Sequence, residues 1–228
     1  MEPYYSQAGI DIYCGDAREI LPSLAPVDCC IVDPVWPNSL SSLFGADAPE
    51  KMFAEIACHL PAITSRVVVQ MGCDSDPRFL RAVPHSLPYF RTCWLDYACP
   101  HYKGRLLYTG DVAYAFGDPP PARPGRMVIP GRKVSTASYW KMPRTNPHKE
   151  SGRRNGDLKH PCPRRLQHVM WLVKWFADGI VLDPCAGIGT TLLAAKNQGL
   201  PAIGIEIEER YCRTAVRRLR QSVLEFKE

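Results

Sequence analysis

Val181-Leu182-Asp183-Pro184-Cys185-Ala186-Gly187-Ile188-Gly189-Thr190-Thr191 reads as a buried strand that ends in a carboxylate and turns through two glycines into a helix. The glycines let the backbone approach a ligand closely, and a helix opening at Thr190 aims its first N–H groups at that ligand. About twenty residues further on, Glu206 ends the next strand, where a carboxylate can accept both ribose hydroxyls of an adenosine. Together these features describe a pocket for an adenosine-bearing cofactor. Three readings stand, in this order: the methyl donor S-adenosylmethionine, a dinucleotide, and a purely structural turn. The third glycine of a dinucleotide fingerprint is missing, and an acidic Asp183 suits the positively charged methionine end of the methyl donor better than a pyrophosphate.

Outward from that turn, short apolar runs alternate with helical patterns, as in βα units around a largely parallel sheet. The pattern predicts strands over 10–13, 28–32, 66–71, 90–97 and 111–116, with helices over 17–24 and 49–60 and a polar loop over 34–48. After residue 163 it predicts helix 164–177, strand 180–183, helix 190–198, strand 202–206 and helix 208–223. Between 117 and 163, nine prolines interrupt the chain and no regular element fits. The expected fold class is α/β, a mostly parallel twisted sheet with helices on both faces, in a single domain over 1–228.

A second strand end carries its own chemistry. Val27-Asp28-Cys29-Cys30-Ile31-Val32-Asp33-Pro34-Val35-Trp36-Pro37-Asn38 sets a carboxylate, a proline and a tryptophan at the carboxyl end of a strand, where ligands bind in open α/β sheets. Taken alone it is equally an Asp-Pro turn with a tryptophan buried for packing. Beside the distant cofactor turn it suggests chemistry at an aniline-like amino group, whose lone pair is delocalised into its ring. Hydrogen bonds to Asp33 and to the Pro34 carbonyl would favour a more pyramidal nitrogen, and Trp36 would hold a flipped-out base by stacking.

Charge is concentrated in one place. Residues 100–165 contain fourteen Lys and Arg against four Asp and Glu, a local balance of +10 in a chain of net charge +5. Such a segment is either a solvated loop or a surface for a phosphate backbone, and Ser135, Thr136, Ser138, Tyr139 and Trp140 add groups able to stack on or grip a nucleic acid. The ten cysteines form no C-x-x-C pair, so they read as ordinary buried thiols with no metal site. No apolar run is long enough to span a membrane and the N-terminus lacks a signal-peptide layout, so a soluble cytoplasmic protein is expected.

These residues resemble the amino-methylating (adenine-N6 and cytosine-N4) DNA methyltransferases, specifically the permuted group in which the D-P-P-Y-type motif precedes the F-x-G-x-G-type motif. Asp33-Pro34-Val35-Trp36 stands for the first motif and Pro184-Cys185-Ala186-Gly187-Ile188-Gly189 for the second. The likeness extends to Gly15-Asp16, to Lys159-His160-Pro161-Cys162-Pro163, and to Gly204-Ile205-Glu206-Ile207-Glu208 with Tyr211-Cys212. Val35 replaces the second proline, Trp36 the tyrosine, and Cys185 the phenylalanine that packs on the cofactor.

The resemblance implies a Rossmann-like methyltransferase fold with S-adenosylmethionine as cofactor. It implies that Asp16 lies near the adenine, that Glu206 binds the ribose, that His160 and Pro161 shape the methionine end, and that Asp183, Pro184, Gly187, Gly189 and Thr190 form the turn. Asp33, Pro34 and Trp36 become the catalytic residues. The basic, proline-rich insertion at 100–160 takes the place of a target-recognition region, with Arg132, Lys133, Lys141, Arg144, Arg153 and Arg154 as candidate phosphate contacts to double-stranded DNA. A homodimer and a place in a restriction-modification system belong to the same set of expectations. An Asp at the first motif position resembles adenine-N6 enzymes more than cytosine-N4 enzymes. Methylation of cytosine or RNA, and a DNA-binding regulatory protein weakened by Val35 and Cys185, are the alternatives.

Overall fold

Every residue of Arg66–Gly72 is buried, with Val68 turned to one side of the sheet and Val67, Val69 and Met71 to the other. A strand apolar on both faces needs cover on both, which is the situation of a central strand in a parallel sheet. The computed structural model describes residues 2–37, 42–120 and 164–221. Its strands β1 (Tyr5–Gln7), β2 (Ile10–Cys14), β3 (Cys29–Val32), β4 (Arg66–Gly72), β5 (Tyr89–Lys103), β6 (Leu106–Gly117), β7 (Val181–Asp183) and β8 (Ala202–Glu206) form one sheet in the order β1-β2-β8-β7-β3-β4-β6-β5. The run β2-β8-β7-β3-β4 is parallel, while β1, β6 and β5 add antiparallel pairs at the two sides. The α/β class and its mostly parallel sheet are as the alternating pattern predicts.

One face is covered by α4 (Leu166–Phe176), α5 (Thr190–Lys196) and α6 (Glu209–Arg220), through Leu172, Phe176, Leu192, Cys212 and Leu219. The other face is covered by α1 (Ala17–Ile20), α2 (Pro49–Ala57) and α3 (Leu60–Ile63), through Ile20, Phe53, Ile56 and Leu60. Among the described residues no helix is long and apolar enough to cross a membrane.

Several boundaries differ from those the sequence predicts, three of them for a visible physical reason. The helix expected over 17–24 stops at Ile20 and continues as a 3-10 turn, Leu21–Ser23, because Pro22 has no N–H to extend the α-helical ladder. The helix expected over 49–60 ends at Ala57, and a separate turn restarts at Leu60 around Pro61. The strands expected over 90–97 and 111–116 are the inner parts of a longer hairpin, closed where Lys103 pairs with Leu106 and Gly104 takes φ +62°. Residues 100–117 of the expected insertion therefore belong to β5 and β6, and 121–160 lie outside the described residues. A register shift between Asp96 and His101 breaks the alternation that would have revealed the full strand. Nor are all the thiols buried: Cys29, Cys30, Cys93 and Cys212 are, but Cys14, Cys58 and Cys73 are exposed.

The connection from β7 through α5 to β8 runs to one side of the sheet, and that from β3 through α2 to β4 runs to the other. Between β7 and β3 the winding reverses, and a crevice opens at the carboxyl ends of these strands.

Candidate active site

Asp183 and Asp33 stand at the ends of adjacent strands and line the same cleft. On the β7 side, Asp183 is 2% exposed and its Oδ1 accepts the Cys185 N–H at 3.0 Å. Burial pushes its carboxyl up to about 7, against the lowering effect of bonds from Thr191 and Cys185. The turn is pinned to β8 where the Ala186 N–H donates to the Ile205 carbonyl at 2.9 Å. Gly187, at φ +51°, donates its N–H to Glu206 Oε2 at 2.8 Å, and Glu208 donates its own to Oε1 at 2.8 Å. Each Glu206 oxygen keeps a lone pair for another donor, and burial raises this carboxyl too.

Pro184 and Thr190 line the cleft, but the Thr190 hydroxyl accepts from Arg218 Nη1 at 3.2 Å. Gly189 stands behind the wall as the N-cap of α5. Its φ of +74° is left-handed, and a Cβ there would meet Ala215 Cβ at 2.8 Å. Asp16 reaches the opposite wall because the Gly15 N–H donates to the Glu206 carbonyl at 2.9 Å. It caps α1 by accepting the Arg18 N–H at 2.9 Å, and the Arg18 guanidinium holds its carboxyl below the ordinary range.

The β3 side carries Asp33, Pro34, Val35 and Trp36 at the cleft. Trp36 is 8% exposed. Both oxygens of Asp33 are engaged by Arg164, the second residue before α4: Nε donates to Oδ2 and Nη2 to Oδ1, each at 2.6 Å. The same guanidinium lies over the Trp36 ring, 3.9 Å from its centroid. Burial pushes the Asp33 carboxyl up to about 6, although the Arg164 charge and its hydrogen bonds pull it down. The guanidinium thereby fills the space between the Asp33 carboxyl and the Trp36 ring.

Behind Arg164 lies a second buried carboxylate. Asp111 on β6 is 6% exposed, 3.6 Å from Arg164 Nη1, and accepts the Tyr97 hydroxyl at 2.7 Å. His168 Nδ1 stands 3.8 Å from it. Burial alone would raise Asp111; the neighbouring His168 imidazole, the Arg164 charge and the Tyr97 hydroxyl outweigh that and hold it below the ordinary carboxylate range.

The structure thus brings Asp16, Asp33, Pro34, Trp36, Asp183, Pro184, Gly187, Thr190 and Glu206 to one cleft and sets Gly189 behind it. His160, Pro161, Arg132, Lys133, Lys141, Arg144, Arg153 and Arg154 lie outside the described residues. Sequence reasoning missed Arg164, Asp111, His168 and Gln70. A signal existed for Gln70, a polar residue inside an apolar strand; Arg164 was hidden within the count of basic residues. Among the described residues no group of three or more His, Cys, Asp or Glu is placed to hold a metal.

Residues 120–217 match the N6_N4_Mtase family model, described as DNA methylase. The methylase YubD of Escherichia coli is 34% identical over 123 residues, 52% of this chain and 46% of YubD. The type II methyltransferase M.ScaI of Streptomyces caespitosus is 54% identical over 43 residues, 19% of this chain and 14% of that protein. The chain therefore matches less than half the length of either relative. Among solved structures, the M1.HpyAVI-SAM complex aligns over 93% of this chain and 100% of its own, with TM-score 0.65 and 21% identity. The cytosine-N4-specific PvuII DNA methyltransferase aligns over 98% of this chain and 91% of its own, with TM-score 0.68 and 14% identity. The chain shares its fold with these solved DNA methyltransferases, and residues 120–217 match the DNA methylase family model.

Proposed function

We propose that the chain transfers a methyl group from S-adenosylmethionine to the exocyclic amino group of a DNA base brought out of the duplex, adenine N6 ahead of cytosine N4. The observation that carries this reading is the one cleft shared by Asp33 and Trp36 at one strand end and by Asp183 and Glu206 at the next two.

The residues present fit the cofactor. Glu206 has a lone pair free on each oxygen for a ribose hydroxyl, and Asp183 is a carboxyl raised by its burial, which an ammonium beside it would draw back to the charged form. When bound, the cofactor supplies an electrophilic methyl on a positively charged sulfur. The chain's own part is to hold the acceptor nitrogen. Asp33 and the Pro34 carbonyl accept its two N–H bonds, leaving its lone pair directed at the methyl, and Trp36 stacks on the base. Asp16 and Pro184 close the walls around the adenosine. The segment containing Arg132, Lys133, Lys141, Arg144, Arg153 and Arg154 is assigned to the duplex backbone.

The Asp at the first motif position favours adenine, and likeness to a cytosine-N4-specific enzyme makes cytosine the second reading. The deciding experiment is transfer of labelled methyl to unmodified DNA, with RNA in parallel, and nucleoside analysis of the product. Methyladenine in DNA is expected. The Asp33→Ala variant should lose transfer by 10³-fold or more, on the order of a lost transition-state contact set, while binding cofactor as before. Equal loss of cofactor binding would remove Asp33 from the base and place it at the donor.

A further inference from the structure

Gln70 is the polar residue of the run Val67-Val68-Val69-Gln70-Met71, is 1% exposed, and lines the cleft. Among the described residues its buried amide Nε2 has no hydrogen-bond partner. A buried N–H left unpaired opposes folding, so its retention at the wall of a ligand cleft calls for a partner that arrives later.

The surroundings define that partner. Val32 pairs with Val69, so Asp33, just past the end of β3, stands level with Gln70 within the neighbouring parallel β4, and Gly72 pairs with Asp111 on the far side. Arg164 reaches from Asp33 to Asp111, the carboxylates of the two strands flanking β4. A guanidinium has only donors and cannot satisfy an amide N–H. Yet its placement is that of a base: a planar group over the Trp36 ring, with two N–H bonds on Asp33.

The amino group of adenine lies beside the acceptor N1, and that of cytosine beside the acceptor N3. Guanine and thymine present a carbonyl beside an N–H at the corresponding ring positions. We propose that Gln70 donates its Nε2–H to the ring nitrogen next to the target amino group when the base takes Arg164's place over Trp36. Asp33 and Gln70 then read a donor-acceptor pair that adenine and cytosine share. This inference rests on the amino-methylating reading of the cleft and deepens it by assigning a residue to base choice.

The test is a cycle of kcat/KM measurements for methyl transfer to duplexes. One duplex carries the natural target base and the other its deaza analogue, 1-deazaadenine or 3-deazacytosine according to the nucleoside analysis. Wild type is compared with Gln70→Leu, and Gln70→Met is the second variant should the first fail to bind cofactor. On natural DNA the variant should fall roughly 10- to 100-fold, the worth of one hydrogen bond in a closed site. Wild type should lose a similar factor on the analogue, and the variant should lose nothing further there. Two losses that simply multiply, or a wild type indifferent to the analogue, overturn the role of Gln70. A wild type that methylates neither base in DNA overturns the underlying reading and this inference with it.

Discussion

Two buried arginines sit at opposite ends of the same sheet, and their partners differ in kind. Arg66, at the start of β4, donates to Asp28 Oδ1 at 3.1 Å but also to the backbone carbonyls of Phe176 at 3.0 Å and Asp118 at 3.1 Å. The other Asp28 oxygen accepts the backbone N–H groups of Asp178 and Gly179. Arg164, at the carboxyl end, is gripped by the side chains of Asp33 and Asp111 and by the face of Trp36. Backbone partners cannot swing, so Arg66 fastens β3, β4 and the end of α4 together. Side-chain partners can exchange, and at the open end of a cleft that makes a buried ion pair a replaceable occupant.

The comparison breaks most visibly in stability. Arg66→Met leaves Asp28 facing a buried gap and takes a donor from the carbonyls of Phe176, Asp118 and Pro119, a loss expected at about 3–5 kcal/mol. For a chain of this size that lowers Tm by roughly 10 °C. Arg164→Met should cost less than half as much, because Asp33 lies at the cleft mouth with 27% of its side chain exposed and Asp111 keeps Tyr97 and His168. Urea unfolding of the two variants measures both. Equal losses would make Arg164 a second rivet and remove the contrast.

The contrast also explains what the sequence could and could not announce. Glycine turns and strand-end carboxylates are local, so Asp183, Gly187, Glu206 and Asp33 were readable from spacing alone, as was the alternation that predicts the sheet. The Asp33–Arg164 pair joins residues 131 positions apart, and Asp111 meets it only because β6 lies antiparallel to β4. No periodicity encodes such a meeting. Arg66 was equally silent, as the first residue of a valine-rich strand whose partners come from three distant segments. The hairpin of β5 and β6 was half legible: its inner part buries Cys93, Leu95, Val112, Ala113, Ala115 and Phe116 as core strands should, while its outer part carries exposed Tyr102, Leu106 and Leu107 and reads as irregular. Helix ends failed at Pro22 and Pro61, where a missing N–H outweighed the apolar pattern.

A smaller effect sharpens the role of Arg164 in the chemistry. Asp33 must be ionised to accept an amino N–H with either oxygen, and burial sets its carboxyl at about 6 even with Arg164 beside it. The proton held below that pH blocks the acceptor, so kcat/KM should climb with pH, level off above about 6, and fall tenfold per pH unit on the acid side. The Arg164 charge lowers this carboxyl, so removing it can only move the midpoint upward. In Arg164→Met the acid limb should shift to higher pH with its slope unchanged, read from pH profiles of labelled-methyl transfer on the same duplex. The same sign governs stability: the folded protein keeps a proton that the unfolded chain releases above about pH 4. The Asp33 contribution is therefore greatest below that pH and is lost as pH rises through about 6. An acid limb that stays in place, or moves down, would show that the guanidinium does not lie on Asp33 in the free protein, whose titration this profile reports.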